Sequence, residues 1–133
     1  MDRIESDRAR VIIPVGMRSP DEKEINAAWL LARYFNVEVK FIPVHMGYKM
    51  KTPDFMMMGK AWELKSPHVS KDSMWRLLKR STKQADNIVV DCRKLRVSEK
   101  ILMDSMQKWF IRQRSVRHLL ILMRDNGVVE FKK

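Results

Sequence analysis

PDFMMMGKAWELKSP, residues 53–67, reads as two short strands folded back on each other. A two-residue turn at Met58-Gly59 pairs Met57 with Lys60, and counting outward from that pair sets Asp54 directly opposite Glu63. Side chains in opposite positions share a face, and Lys65, two residues past Glu63, joins them there. Two facing carboxylates repel by ~0.2–1 kcal/mol unless something positive lies between them. A hard divalent cation meets that need, taking oxygen from both carboxylates and from water. A nearby Lys then holds the attacking water or offsets charge growing on a phosphate. A bulge at Gly59 would slip the register by one residue and separate the pair.

Upstream of the hairpin, Ser19-Pro20-Asp21-Glu22 reads as a helix start, with Ser19 as cap, Pro20 in the first turn and Glu22 closing a capping box. Ile25, Ala28, Trp29 and Ala32 follow at helical spacing, which predicts a helix over 20–35 ended by Asn36. Glu24 borders that apolar stripe and is a further candidate acid, while Asp21 suits the helix dipole. Val37, Val39 and Phe41 alternate with Glu38 and Lys40 in a predicted strand over 37–44. Residues 45–52 read as a loop, and Val11 to Val15 as a short strand. Downstream, Ser70 or Asp72 caps a predicted helix reaching Ala85, with Met74, Leu77 and Leu78 inward. Asn87 to Cys92 is nearly continuous in apolar residues, as in a central strand buried on both faces. A last helix is predicted over 98–113, and Asp125-Asn126-Gly127 joins His118–Arg124 to Val128–Lys132 as a hairpin. The expected architecture is a single α/β domain over 1–133, with residues 1–17 as an arm and a core of about 18–132.

The chain has 133 residues, one cysteine (Cys92) and a net charge of +11. Its length suits one domain. The lone cysteine excludes an intrachain disulfide framework and a cysteine-built zinc site. No apolar run approaches the ~20 residues of a membrane-spanning helix. Met1 to Arg10 lacks the apolar stretch of a signal peptide, so a cytoplasmic site of action is expected. Charge is uneven: residues 1–65 carry 11 basic and 9 acidic side chains, whereas residues 76–117 carry 12 and 4. A surplus of this kind favours a polyanionic partner, nucleic acid first. Arg76, Lys79, Arg80 and Lys83 recur at i, i+3, i+4 and i+7 with no acid among them, a stripe suited to phosphate. Arg93, Lys94 and Arg96 extend the basic track.

Pro53-Asp54 followed by Glu63-Leu64-Lys65, in a helix–three strands–helix–strand order, resembles the PD-(D/E)XK nuclease superfamily. The hairpin together with KRSTKQADNIVVDCRK (79–94) resembles the tRNA-cleaving C-terminal toxin domains of contact-dependent growth inhibition proteins, over about residues 18–132. Related domains occur in polymorphic toxins and in phage and mobile-element proteins. The resemblance implies an αβββαβ core with a mixed sheet, Asp54 and Glu63 as metal ligands for Mg²⁺ or Mn²⁺, and Lys65 as catalytic lysine. It matches Glu24 to an acid on the first helix and Gln84 to a polar residue on the helix after the motif. It also implies an RNA substrate, tRNA above others, and a neutralising immunity protein. The gap from Asp54 to Glu63 is short for the superfamily.

Other readings stand beside these. The same site would serve a DNA endonuclease, and a chain whose trio makes only ion pairs would bind nucleic acid without cutting it. A metal-independent ribonuclease on another fold is a further alternative. Gln84, facing inward seven residues from Leu77, equally suits a backbone partner. Trp62 and Trp75 fit core packing or base stacking, and Trp62, on the face opposite Glu63, is expected in the core. Asp91 is expected to pair with a nearby Arg, and His118 to be structural. His68 is a candidate substrate contact, and the three histidines have no metal-site spacing.

Overall fold

A computed structural model describes residues 8–43, 53–67 and 86–133. The helix predicted to end near Ala85, with its Ser70 and Asp72 caps, its basic stripe and Gln84, lies outside these residues, as do His45, His68, Trp75 and the 45–52 loop. Seven strands pair in chain order, β1 (Arg10–Ile12), β2 (Glu38–Phe41), β3 (Phe55–Met57), β4 (Lys60–Lys65), β5 (Asn87–Asp91), β6 (His118–Leu122) and β7 (Val128–Lys132), giving a mixed seven-stranded sheet. Two helices, α1 (Glu22–Phe35) and α2 (Glu99–Arg112), complete the described α/β fold. The chain forms two compact units, Met1–Trp62 and Glu63–Lys133.

In the first unit, β1 and β2 run parallel with α1 as their crossover and packed on both. The helix begins two residues later than its sequence suggested. Asp21, not Ser19, is the N-cap, and its side chain accepts from the Glu24 amide at 2.8 Å while Glu24 Oε1 accepts from the Asp21 amide at 3.3 Å. Asp and Glu at the cap and third positions satisfy two orphan amides reciprocally, which Ser19 with Glu22 would do no better. The inward face is shifted as well: Ala27, Ala28, Leu31 and Ala32 are fully buried, whereas Trp29 is exposed beneath the Arg33 guanidinium. Three alanines on that face let the helix approach the sheet closely. Asn36, in the left-handed region at φ 53°, ends the helix as expected.

The hairpin follows the sequence arithmetic. Met57 pairs with Lys60 and Phe55 with Trp62, around a Met58-Gly59 turn in which both residues have positive φ (53° and 72°). Those angles match the right-handed twist of the two strands and fix the register without a bulge. Trp62 is fully buried, and its indole N–H donates to the Met57 carbonyl at 2.9 Å, so the ring ties the hairpin from within.

In the second unit, Glu63 to Lys65 pair parallel with Ile88 to Val90, β5 runs parallel to β6, and β6 turns back antiparallel into β7. Ile88, Val90, Leu119 and Ile121 pack with Leu102, Met106, Trp109 and Phe110 of α2 in one core. Val89, Leu120 and Leu122, which alternation sends to the other face, are also fully buried, as the apolar run of β5 required. Ser98 caps α2 and Gln113 ends it, as predicted. Asn126 at φ 66° turns the last hairpin, and Gly127 is needed there because a Cβ would lie 2.8 Å from the Asp125 carboxylate.

Candidate functional site

The first unit holds an open cleft of about 380 Å³ between the entry to α1 and the β2–β3 edge, with Arg18, Ser19, Asp21, Glu24, Phe41 and Asp54 in its wall. Asp54 directly precedes β3, and its amide donates to the Trp62 carbonyl at 2.9 Å, one residue out of step with the Phe55–Trp62 pair at which the ladder ends. Its carbonyl accepts from Ile42, also at 2.9 Å, so the backbone of Asp54 is held from both sides. Glu24 reaches the cleft as the third residue of α1, steadied by the capping box. Its carboxyl is held above the usual range, chiefly by burial, and additionally by the charges of Asp21 and Asp54, against a backbone hydrogen bond that works the other way. Two of the expected acids, Glu24 and Asp54, therefore share one cleft and sense each other.

Arg18 and Ser19 were not anticipated there. Moving the cap to Asp21 releases Ser19 from the capping role and leaves both residues lining the cleft. The signal was present in the sequence, since an Asp-x-x-Glu box two residues downstream competes directly with Ser19 and Glu22.

In the second unit, Glu63 and Lys65 share a strand face in register with Ile88 and Val90, and Lys65 Nζ lies 3.1 Å from Glu63 Oε1. The Glu63 side chain is only 6% exposed and that of Lys65 18%, so this is a substantially desolvated pair. A carboxylate so deeply placed needs charge compensation to remain ionised, and an ammonium two residues away on one strand face supplies it. At the end of β5, Asp91 takes a bidentate contact from Arg93 at 2.9 and 2.8 Å, the expected structural partnership. That contact raises the Arg93 pKa and turns its fork toward the protein, whereas Lys94 and Arg96 remain exposed. Arg124 donates twice to the Leu95 carbonyl and is likewise structural. His118 is buried, with Nε2 at 2.5 Å from Glu130 Oε2.

Among the described residues, no three His, Cys, Asp or Glu side chains converge closely enough to hold a metal ion.

The described residues thus form an α/β fold with the acids Glu24 and Asp54 in the cleft of the first unit and a buried Glu63–Lys65 pair in the second. In fold, the protein is similar to a chain of the CdiA-CT/CdiI toxin and immunity complex from Burkholderia pseudomallei, with TM-score 0.70 and 17% identity over 92% of this chain and 98% of that one. A search of curated proteins finds no match. The family model for the contact-dependent growth inhibition CdiA C-terminal domain matches residues 51–128, and the chain belongs to that family. It is a family of toxin domains, commonly nucleases.

Proposed function

We propose that this domain is a metal-dependent ribonuclease of the PD-(D/E)XK type that hydrolyses phosphodiesters of tRNA as a toxin. The reading rests above all on the hairpin register. With a two-residue turn and Phe55 paired to Trp62, Asp54 is the residue just before β3 and Glu63 the residue just after Trp62 in β4. A cation bound by Asp54 and Glu63 would polarise the phosphate and lower the pKa of a bound water. Lys65, already oriented by Glu63, orients the attacking water or offsets charge developing on the phosphate. Glu24, with its raised pKa, is suited to moving a proton at the edge of the cleft. Gln84 serves as a further polar contact downstream of the motif. Arg76, Lys79, Arg80 and Lys83, continued by Lys94 and Arg96 and with Arg93 as a positioning contact, hold the phosphate backbone.

The similar Burkholderia structure is a toxin and immunity complex. By extension, this domain is neutralised by an immunity protein, and an acidic one would complement its basic segment.

The test is incubation with bulk tRNA and with plasmid, with and without chelator, for the parent and for Asp54→Ala, Glu63→Ala and Lys65→Ala. Chelator-sensitive tRNA cleavage, lost in each variant by ~10²-fold or more, supports the reading. Cleavage of plasmid alone would make the domain a DNA endonuclease. Salt-sensitive binding without cleavage under any metal would leave a non-catalytic binder, and chelator resistance would point to metal-independent chemistry.

A further inference from the structure

A second basic surface lies at the end of the second unit from which β5 and β6 start. Arg112 closes α2, Arg114 follows in the link to β6, Arg117 directly precedes β6, and Lys132 stands in register with His118 at the end of antiparallel β7, next to Lys133. Lys94 and Arg96 follow the other end of β5, five residues away, a span of roughly 17 Å. The two groups therefore bracket the sheet of this unit.

Part of the cluster has a structural explanation. Lys133 Nζ donates to the Gln113 carbonyl at 2.5 Å and lies 4.6 Å from the centre of the Phe110 ring, so it caps α2 and roofs its last aromatic. Arg112 Nε donates to the Lys108 carbonyl at 3.4 Å. Both gain from the negative end of the helix dipole. Arg114, Arg117 and Lys132 have no such role. All three are exposed, and among the described residues none makes an ion pair. The acids at this end are Asp86 and Glu130, and the Glu130 carboxylate is taken by His118. The crowding is felt: the Lys133 ammonium is pushed below its usual range, first by desolvation and then by repulsion from Arg117.

We propose that Arg114, Arg117 and Lys132 form a second phosphate-binding surface that grips the substrate RNA on the side of the sheet away from Lys94 and Arg96. The inference rests on the nucleic-acid reading above. A protein partner fits the patch less well, because interface centres favour aromatic anchors and deplete Lys. Here the nearest ring, Phe110, is buried under Lys133, leaving Ile111 as the exposed apolar group on the flank.

The experiment measures binding of bulk bacterial tRNA by the full chain in chelator, in an Asp54→Asn background so that RNA stays intact, across a salt series. Circular dichroism confirms folding of each variant. Each phosphate contact contributes roughly 0.7–0.9 to the slope of log K against log salt. The combined Arg114→Gln, Arg117→Gln and Lys132→Gln variant should therefore lower that slope by about two to three and, between 50 and 200 mM salt, lose about 20- to 40-fold less affinity than the parent. Arg114→Lys with Arg117→Lys should keep the parental slope. An unchanged slope in the triple Gln variant overturns the proposal alone and leaves the patch to a protein partner. A parent that binds no tRNA overturns the nucleic-acid reading and this proposal with it.

Discussion

Replacing Lys65 with Met keeps the length of the side chain and removes its charge, and with it the ammonium contact to the Glu63 carboxylate. The Nζ–Oε1 distance is 3.1 Å, and the two side chains are 18% and 6% exposed. Breaking a pair this desolvated costs up to about 3–5 kcal/mol, because one buried charge loses the ion pair it made there. The partial exposure of Lys65 sets the expectation at the lower end, about 3 kcal/mol. With an m-value of about 2 kcal/mol/M, the urea midpoint at pH 7 should fall by roughly 1.5 M. Glu63→Gln combined with Lys65→Met should recover most of the loss, as replacing both members of a buried pair is far milder than removing one. Millimolar Mg²⁺ should also recover part of the loss in Lys65→Met if Glu63 holds a cation. A deficit under about 1 kcal/mol would place the pair among weak surface contacts and refute the argument from burial.

Gly59→Ala should cost about 1 kcal/mol in urea unfolding, purely from the backbone: φ is 72° and nothing lies within 4 Å of the added Cβ. Glu24→Gln should preserve the capping box, lower cleavage and raise thermal stability at neutral pH. Because the Glu24 pKa is raised in the fold, its ionisation removes stability as pH rises from the ordinary 4.5 through the folded value. The advantage of the Gln variant in thermal melts should accordingly vanish below that ordinary value. Cys92 is 1% exposed, and burial first, then the Asp91 charge, pushes its thiol up to about 12. Alkylation at pH 8 should be slow in buffer and rapid in denaturant, and equal rates would show that the site opens readily.

The hairpin was legible because turn chemistry is local: Gly at the second turn position and a preference for two-residue turns determine the register before any tertiary contact. Strand β5 was legible because its apolar run exceeds what an alternating strand would carry, and its two parallel neighbours explain why. The entry to α1 was harder to read. Ser19 and Asp21 both make sound caps, and sequence spacing does not rank two overlapping boxes. The inward face of that helix also depended on its partner: Ala27 and Leu31 turn toward the sheet, and Trp29 stays outside beneath Arg33, because close approach favours small residues over a large ring. β1, read as Val11 to Val15, begins earlier at Arg10, where it pairs with Glu38, and stops at Ile12 before Pro14. Pairing with β2, not composition, fixes that boundary.

The candidate site shows why position within a secondary element matters more than residue type. Glu22 and Glu24 stand on the same helix turn, yet only Glu24 lines the cleft with Asp54, because the cap at Asp21 makes Glu24 the third residue and ties it back to the helix start. Glu63 and Lys65 meet because one strand face presents every second residue. Trp62, directly before Glu63 and on the opposite face, locks the hairpin through its indole N–H. Each acid or cation proposed for the chemistry within 24–65 is thus held by an element whose own geometry is satisfied locally. Such support keeps a side chain within the narrow tolerance that catalysis demands. Substitutions in the supporting groups, Asp21 and Trp62, should therefore reduce activity by misplacing Glu24 and the hairpin, even though neither residue is assigned a role in the reaction.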